Sequence, residues 1–179
     1  MVYNMDFLQQ LNVWAKGDAL QGKIMVGTGL LLALALPFLF KKEYPLFNGM
    51  FIPICLLVLV NLGYGGFLLY SRPKHVESIS KLYQQNPRET VKKELQKART
   101  DNKNYTLLKP IWAMLIIISA LAFFFINNEY FKGASLGMIC LSVGFLLIDT
   151  FLHYRLIPYL ELTMDAVFSL SGVQIICDR

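Results

Sequence analysis

The residues best suited to chemistry in this sequence are four ionisable side chains that flank long apolar runs. Asp149 and His153 are four positions apart. On a helix they share one face, so the carboxylate can hydrogen-bond the imidazole and raise its pKa. Arg155 follows two positions later, and His75, the only other histidine, stands near the end of a different apolar run. Ionisable groups beside hydrocarbon are costly and are by default suspected of function, so we name these four residues the polar latch.

A network that fixes helix ends in place explains the polar latch most simply. The functional alternatives are a proton-sensitive latch, a docking point for a partner, or a metal site in which His75 or Glu161 joins Asp149 and His153. A haem held between the two histidines is a further alternative. Two ligands do not make a zinc site, and both histidines stand at the edge of apolar runs. We therefore expect neither a metal nor a cofactor.

No pattern in the sequence predicts catalysis. It contains no nucleophile accompanied by a base and an orienting group, no glycine-rich phosphate loop and no H-E-x-x-H motif. The three cysteines, Cys55, Cys140 and Cys177, form no close-spaced set. This spacing favours buried structural thiols over a disulfide or zinc framework. We expect a protein that is not an enzyme.

Four long uncharged runs predict membrane-spanning helices. The chain has 179 residues, 55% of them hydrophobic, and a bilayer core about 30 Å thick needs roughly 20 helical residues to cross. The uncharged runs are 17, 28, 19 and 16 residues long, at 24–40, 44–71, 110–128 and 133–148. A signal peptide is the alternative for the first run. Its small residues lie inside the apolar stretch and not after it, so we expect an uncleaved span.

The distribution of basic residues predicts the orientation, because lysine and arginine are retained on the cytoplasmic side. With four spans, the two termini and the segment 72–109 share one side, which holds 14 of the 17 basic residues. The other side holds only Lys41, Lys42 and Lys132. We therefore expect both termini in the cytoplasm and the chain in an inner (plasma) membrane. A basic rim beside anionic lipid headgroups accounts for the basic composition, so no nucleic acid is expected as a partner.

These features predict an all-α fold, a polytopic four-helix membrane bundle with an N-terminal interfacial helix and a cytoplasmic helical hairpin. Trp14 anchors the interfacial helix on the membrane surface, and Gly17-Asp18 breaks the chain before the first span. Near the C-terminus, Leu160 to Leu170 form another short interfacial helix, and residues 173–177 are extended. The predicted segments are an amphipathic helix, a transmembrane hairpin, a basic hairpin, a second transmembrane hairpin and a tail, at 1–21, 22–71, 72–109, 110–156 and 157–179.

The basic segment has the signals of two helices joined by a tight turn. Its first helix continues the second span or starts just after Pro73. Asn86 is suited to cap the second helix, Pro87 fits its first position, and Glu89 stands where a capping box needs a carboxylate. The polar run 101–104 reads as the exit loop of that second helix.

Small residues in the apolar runs indicate where the spans touch. Glycine removes the side chain between two helices and allows their backbones to approach closely. Packing within one bundle is our prediction, with dimerisation as the alternative. The candidate packing glycines are Gly63, Gly66, Gly133, Gly137 and Gly144.

Three stretches of this sequence resemble a group of small, uncharacterised four-span bacterial membrane proteins, chiefly of the Bacteroidota. They are Trp14 to Met25, Leu82 to Glu94 with its Asn86-Pro87 pair, and Ile148-Asp149-x-Phe151-x-x-x-Arg155-x-x-x-Tyr159. The resemblance covers most of residues 14–160. It implies a four-span fold and no particular activity.

The sequence therefore favours a non-catalytic integral membrane protein that binds or regulates a protein partner at the membrane. Its expected partners are the lipid bilayer, anionic headgroups at the basic segment, and a protein or a second copy of the chain. The first alternative is an immunity protein against a pore-forming toxin, since colicin immunity proteins share this size and layout. The second is a small channel or carrier, which the absence of charged residues within the spans disfavours.

Overall fold

Four long helices make up nearly all of the chain in a computed structural model that describes residues 2–39 and 44–171. Helix α1 is Val2–Leu39, α2 is Pro45–Gln85, α3 is Pro87–Phe125 and α4 is Glu129–Ser171. No strand occurs in these described ranges. The all-α four-helix bundle predicted from the sequence is confirmed, and all four helices are long and apolar enough to cross a membrane.

The turn between α2 and α3 consists of the single residue Asn86. Its side-chain oxygen accepts from the Glu89 backbone N–H at 3.2 Å, and its amide donates to the Glu89 carboxylate at 3.2 Å. Pro87 occupies the first helical position, where a missing N–H costs nothing. The predicted cap is confirmed, and so tight a turn sends α3 back beside α2 in the opposite direction.

The helices have 38 to 43 residues, so at 1.5 Å per residue each is about 60 Å long. A crossing needs only about half of that. The bundle divides accordingly into an uncharged portion, which we name the apolar half, and a charged portion, which we name the polar half. The apolar half comprises 24–39, 45–65, 110–125 and 133–148. The polar half comprises 2–21, 70–85, 87–109 and 149–171.

Three breaks expected from the sequence are absent, because each helix runs from one half into the other. The predicted break at Gly17-Asp18 is wrong, since both residues lie inside α1. The predicted exit loop at 101–104 is wrong, since α3 is unbroken there. Leu160 to Leu170 belong to α4 and form no separate helix. In each case tertiary packing outweighs the weak local preference for a break. The extended tail predicted at 173–177 lies outside the described residues.

The helices are not packed equally. Helices α1, α2 and α4 touch one another, whereas α3 packs mainly on α4 and contacts α2 only lightly. In its most apolar stretch, 6% of α3 is buried, against 22 to 33% for the other helices. Within the apolar half the bundle is thus a three-helix core with α3 attached along one side.

Glycines allow α2 and α4 to approach closely at the end far from the polar half. A Cβ at Gly133 would overlap the Leu46 carbonyl oxygen, and one at Gly137 would lie 3.0 Å from Pro53 Cβ. Gly144 faces the end of the flexible Leu57 side chain, whose Cδ1 would lie 2.7 Å from an added Cβ. The other two candidate packing glycines, Gly63 and Gly66, have open space beside them.

Two further glycines bring α1 and α2 together. A Cβ on Gly22 would lie 2.8 Å from the Gly65 carbonyl oxygen, and one on Gly65 would lie 2.9 Å from Met25 Cβ. The sequence had offered no reason to pair these positions, because nothing in it sets the register between α1 and α2.

We expect Gly133→Ala to destabilise the bundle and Gly63→Ala to leave it intact. The new methyl at Gly133 collides with rigid backbone, at a cost of about 1 to 3 kcal/mol. The methyl at Gly63 meets nothing and removes the helix cost of glycine. Thermal unfolding in detergent measures both variants, and equal melting temperatures would contradict the close contact.

Candidate functional site

The polar half has a hydrophobic core of its own. Phe7, Leu11, Trp14 and Ala15 of α1 belong to a buried cluster that contains residues of all three other helices. Trp14 is 6% exposed and stacks on Tyr159 with ring centroids 4.8 Å apart. The expectation that this face lies on the membrane surface is wrong. Packing inside the bundle buries it more completely than a lipid interface would. The other core members are Ile79, Tyr83, Val91, Ala98 and Leu156.

A buried ion pair joins α1 to α2 next to this core. Arg72 Nη2 lies 2.8 Å from Asp18 Oδ2, and the Asp18 side chain is 1% exposed. The Arg72 guanidinium also lies over the Trp14 ring, 4.3 Å from its centroid. Burial raises the pKa of Asp18 to about 6, although Arg72 and Arg155 act in the opposite direction. The sequence had suggested only a chain break at Asp18 and no role for Arg72.

The ion pair leaves two buried atoms without a hydrogen-bond partner in the described structure. They are Asp18 Oδ1 and Arg72 Nε. An unmet buried donor or acceptor costs free energy, so this pair holds the helices together less strongly than its single short contact suggests.

A second buried carboxylate joins three helices deeper in the polar half. Glu94 Oε2 of α3 accepts from the Tyr159 hydroxyl of α4 at 3.0 Å and lies 3.0 Å from His75 Nε2 of α2. Burial by itself would raise the pKa of Glu94, but the hydrogen bond and charge of His75 hold it below its usual range. His75 of the polar latch is thus paired with Glu94. The sequence offered no reason to single out Glu94 from the other charged residues of α3.

The predicted hydrogen bond between Asp149 and His153 does not form. Asp149 Oδ2 accepts instead from Trp112 Nε1 at 2.7 Å. His153 Nδ1 is 2.6 Å from Lys109 Nζ, and its Nε2 is 2.7 Å from Asn102 Oδ1. Because lysine only donates and an amide oxygen only accepts, the imidazole is neutral with its proton on Nε2.

The pKa of His153 moves in the direction opposite to the one expected. Burial lowers it first, and the neighbouring Lys109 ammonium lowers it further. The raised value predicted from Asp149 is therefore wrong. The sequence showed that the two residues share a face of α4, but it could not show that α3 supplies a better partner for each of them.

Arg155, the last latch residue, fastens α4 to α1. Its Nη1 donates to the Gly17 carbonyl oxygen and to Gln21 Oε1, the latter at 3.1 Å. Gln21 in turn donates from Nε2 to the Ile148 carbonyl oxygen at 3.1 Å. Gly17 permits this arrangement, because a Cβ there would lie 3.0 Å from Arg155 Cδ. We name Gln21 and Arg155 together the Arg155 clamp.

The four latch residues therefore belong to separate networks and do not meet at one site. His75 lies in the α2–α3–α4 network, Asp149 and His153 join α3 to α4, and Arg155 joins α4 to α1. Among the described residues, no group of three or more His, Cys, Asp or Glu side chains is close enough to hold a metal ion. Cys55 and Cys140 are free thiols, and Cys177 lies outside the described part of the chain. What these networks do is fix the four helices relative to one another.

The fold and these networks fit a multi-pass membrane protein with four helices of sufficient length and apolarity to span. No family model, no curated protein and no solved structure matches the chain. The function must therefore be argued from the chain's own surfaces and networks.

We expect the contribution of Asp18 to the stability of the protein to rise as pH falls from about 6 to 4. The folded pKa of Asp18 lies above its usual 3.8, so its contribution is fully present below pH 3.8 and is lost as pH rises to about 6. The difference corresponds to roughly 2 to 3 kcal/mol. Denaturant unfolding in detergent at several pH values measures it.

The contribution of Asp18 is the difference in pH dependence between the wild type and Asp18→Asn, because Glu94 and His153, with lowered pKa values, change the stability in the opposite direction. Glu77→Gln is the matched control, because Glu77 is exposed and its hydrogen bond to Lys81 lowers its pKa, the direction opposite to that of Asp18. If Asp18→Asn keeps the wild-type slope between pH 4 and 6, the burial argument for Asp18 is refuted.

Proposed function

We propose that this chain is a non-catalytic protein of a bacterial inner membrane whose polar half stands in the cytoplasm and binds an acidic surface of a protein partner. The observation that carries the proposal is the exposed surface of α3 between 87 and 109. Six basic side chains there are exposed, against one exposed acid, Glu89, which is paired with Lys93 at 2.7 Å. The six are Arg88, Lys92, Lys93, Lys97, Arg99 and Lys103, and we name them the basic face.

The rigidity of the polar half supports a docking role. Its buried aromatic core and its hydrogen-bond networks involve all four helices. A surface that is held in one conformation loses little entropy when a partner binds to it. The basic face is therefore a preformed surface and not a flexible loop that orders on binding.

The distance of the basic face from the bilayer favours a protein over lipid as its partner. Arg88 precedes Lys109 by 21 positions on one unbroken helix, which places it about 30 Å further from the membrane. The surface potential of a bilayer decays within about 8 Å at physiological ionic strength. Headgroups beside Lys109 cannot attract Arg88 or Lys92, so their charge is better explained by an acidic surface in the cytoplasm.

The apolar half gives no support to a channel or carrier. Its described residues contain no charged side chain. Two of its buried polar residues, Asn61 and Ser135, bond to carbonyl oxygens of their own helices, four positions earlier. Substrate pathways through membranes are normally marked by ionisable or unpaired polar groups. In the described apolar half the buried side-chain N or O atom without a hydrogen-bond partner is Ser142 Oγ, and a single hydroxyl does not mark a path across the interior.

The orientation is tested by cysteine labelling in spheroplasts, in a background with Cys55, Cys140 and Cys177 replaced by serine. A membrane-impermeant maleimide should label a cysteine introduced by Asn127→Cys, in the exposed α3–α4 connection. It should label Lys92→Cys only after the membrane is permeabilised. Labelling of Lys92→Cys in sealed spheroplasts would reverse the proposed topology.

Partner binding is tested by photo-crosslinking in cells, with a photoreactive residue at Lys92 or at Asp165. Both positions are exposed and lie at about the same height along their helices, about 25 Å from the apolar half. A discrete protein adduct is expected at Lys92 only. Arg88→Glu with Arg99→Glu should reduce that adduct several-fold, because opposite charges steer association, while Asp165→Lys should leave it unchanged. If the charge reversal leaves the amount of adduct at Lys92 unchanged, the proposal is contradicted.

A further inference from the structure

A groove of about 400 Å³ opens between α1, α2 and α4 in the apolar half. This volume is within the range of sites that hold a small molecule or a lipid chain. Its walls are almost entirely apolar, and α3 takes no part in it. Six of the residues that line it are Met25, Thr28, Leu32, Leu57, Leu147 and Ile148.

The length of the groove matches one leaflet of a bilayer. On α1 its lining extends from Gln21 to Leu32, which are about 16 Å apart along the helix axis. The hydrocarbon core is about 30 Å thick, so half of it is about 15 Å. The groove thus begins at the border of the polar half and ends near the middle of the membrane.

Its mouth is the Arg155 clamp, since both Gln21 and Arg155 line the groove. All hydrogen bonds of Arg155 to described residues come from Nη1. Its Nε and Nη2 therefore remain available to an anion within the part of the chain that the structure describes. Asp18, a carboxylate whose pKa the charge of Arg155 acts to lower, is already paired with Arg72 at 2.8 Å.

We propose that this groove binds one anionic phospholipid from the leaflet next to the polar half. One acyl chain lies along Met25, Thr28 and Leu147, and the phosphate group accepts hydrogen bonds from Arg155. A guanidinium is suited to this role because its planar donors match phosphate oxygens. The lipid would fill the space between α1 and α4 and bridge the two helices at the point where Arg155 already joins them. The site is lined by α1, α2 and α4, whereas the basic face lies on α3, so the site does not depend on the proposed protein partner.

The test uses the full chain, delipidated in mild detergent, with phosphatidylglycerol and phosphatidylcholine of identical acyl chains as probes. Native mass spectrometry measures the fraction of protein that retains a lipid. We expect about tenfold stronger retention of phosphatidylglycerol, because phosphatidylcholine carries the same phosphate together with a quaternary ammonium that repels the Arg155 guanidinium. Equal retention of the two lipids would overturn the assignment of the headgroup to Arg155.

Two variants separate the groove from the rest of the surface. Thr28→Trp fills the groove and should reduce retention of phosphatidylglycerol about tenfold. Leu31→Trp is its matched control on the same helix, because Leu31 is 71% exposed and does not line the groove. Retention that survives Thr28→Trp, or that falls equally in both variants, would show that the lipid binds elsewhere.

The headgroup contact is tested with Arg155→Lys and Arg155→Gln. Lysine keeps the charge and should retain a preference for phosphatidylglycerol, whereas glutamine should abolish the preference. Because Arg155→Gln also weakens the α1–α4 contact, the melting temperature is recorded for each variant, and Thr28→Trp decides the outcome if glutamine unfolds the protein. A preference that disappears only on Arg88→Glu with Arg99→Glu would place the lipid on the basic face and overturn the proposal.

Discussion

The constraint on which this structure depends is that backbone hydrogen bonds must be satisfied inside each helix wherever water is absent. Within hydrocarbon an unmet N–H or C=O group costs several kcal/mol, so a spanning segment cannot break. Here the helices also remain unbroken beyond that region, through Gly17-Asp18 in α1 and 101–104 in α3. Because each helix is continuous, the packing of the polar half fixes the rotation and height of the same helix in the apolar half.

Apolar packing alone would fix the heights of these helices poorly. Leucine and isoleucine side chains contact lipid about as favourably as they contact each other, so a span can slide with little loss. The polar networks supply the missing specificity, because each hydrogen bond forms at one height only. Asp18 with Arg72 sets α1 against α2, Arg155 sets α1 against α4, and His153 with Asn102 sets α3 against α4. The ionisable groups cluster at the border of the two halves because this is the region where partners on several helices can reach them.

Much of the fold could be predicted from local signals. The uncharged runs gave the four helices, because a span must exclude charge over a fixed length, and the Asn86 cap depends on residues within three positions of each other. Such local signals could not identify the hydrogen-bond partners of the latch residues. Asp149 bonds to Trp112, 37 positions away, and Arg155 to Gln21, 134 positions away. The sequence alone shows which residues share a face of one helix. It does not show which side chain of another helix packs against that face.

The same limit explains why Gly133 and Gly63 look equivalent in the sequence and differ in the structure. Both lie in apolar helices, yet Gly133 meets the Leu46 carbonyl oxygen and Gly63 meets nothing. A glycine matters only where a second backbone approaches, and the approach is set by the polar networks at the other end of the helices. One arrangement of the helices thus has three consequences. They are the close packing of α2 on α4 far from the polar half, the open groove beside α1 and the exposed flank of α3. Polar contacts hold the helices together at the border of the two halves. These contacts set the distances between the same helices in the apolar half.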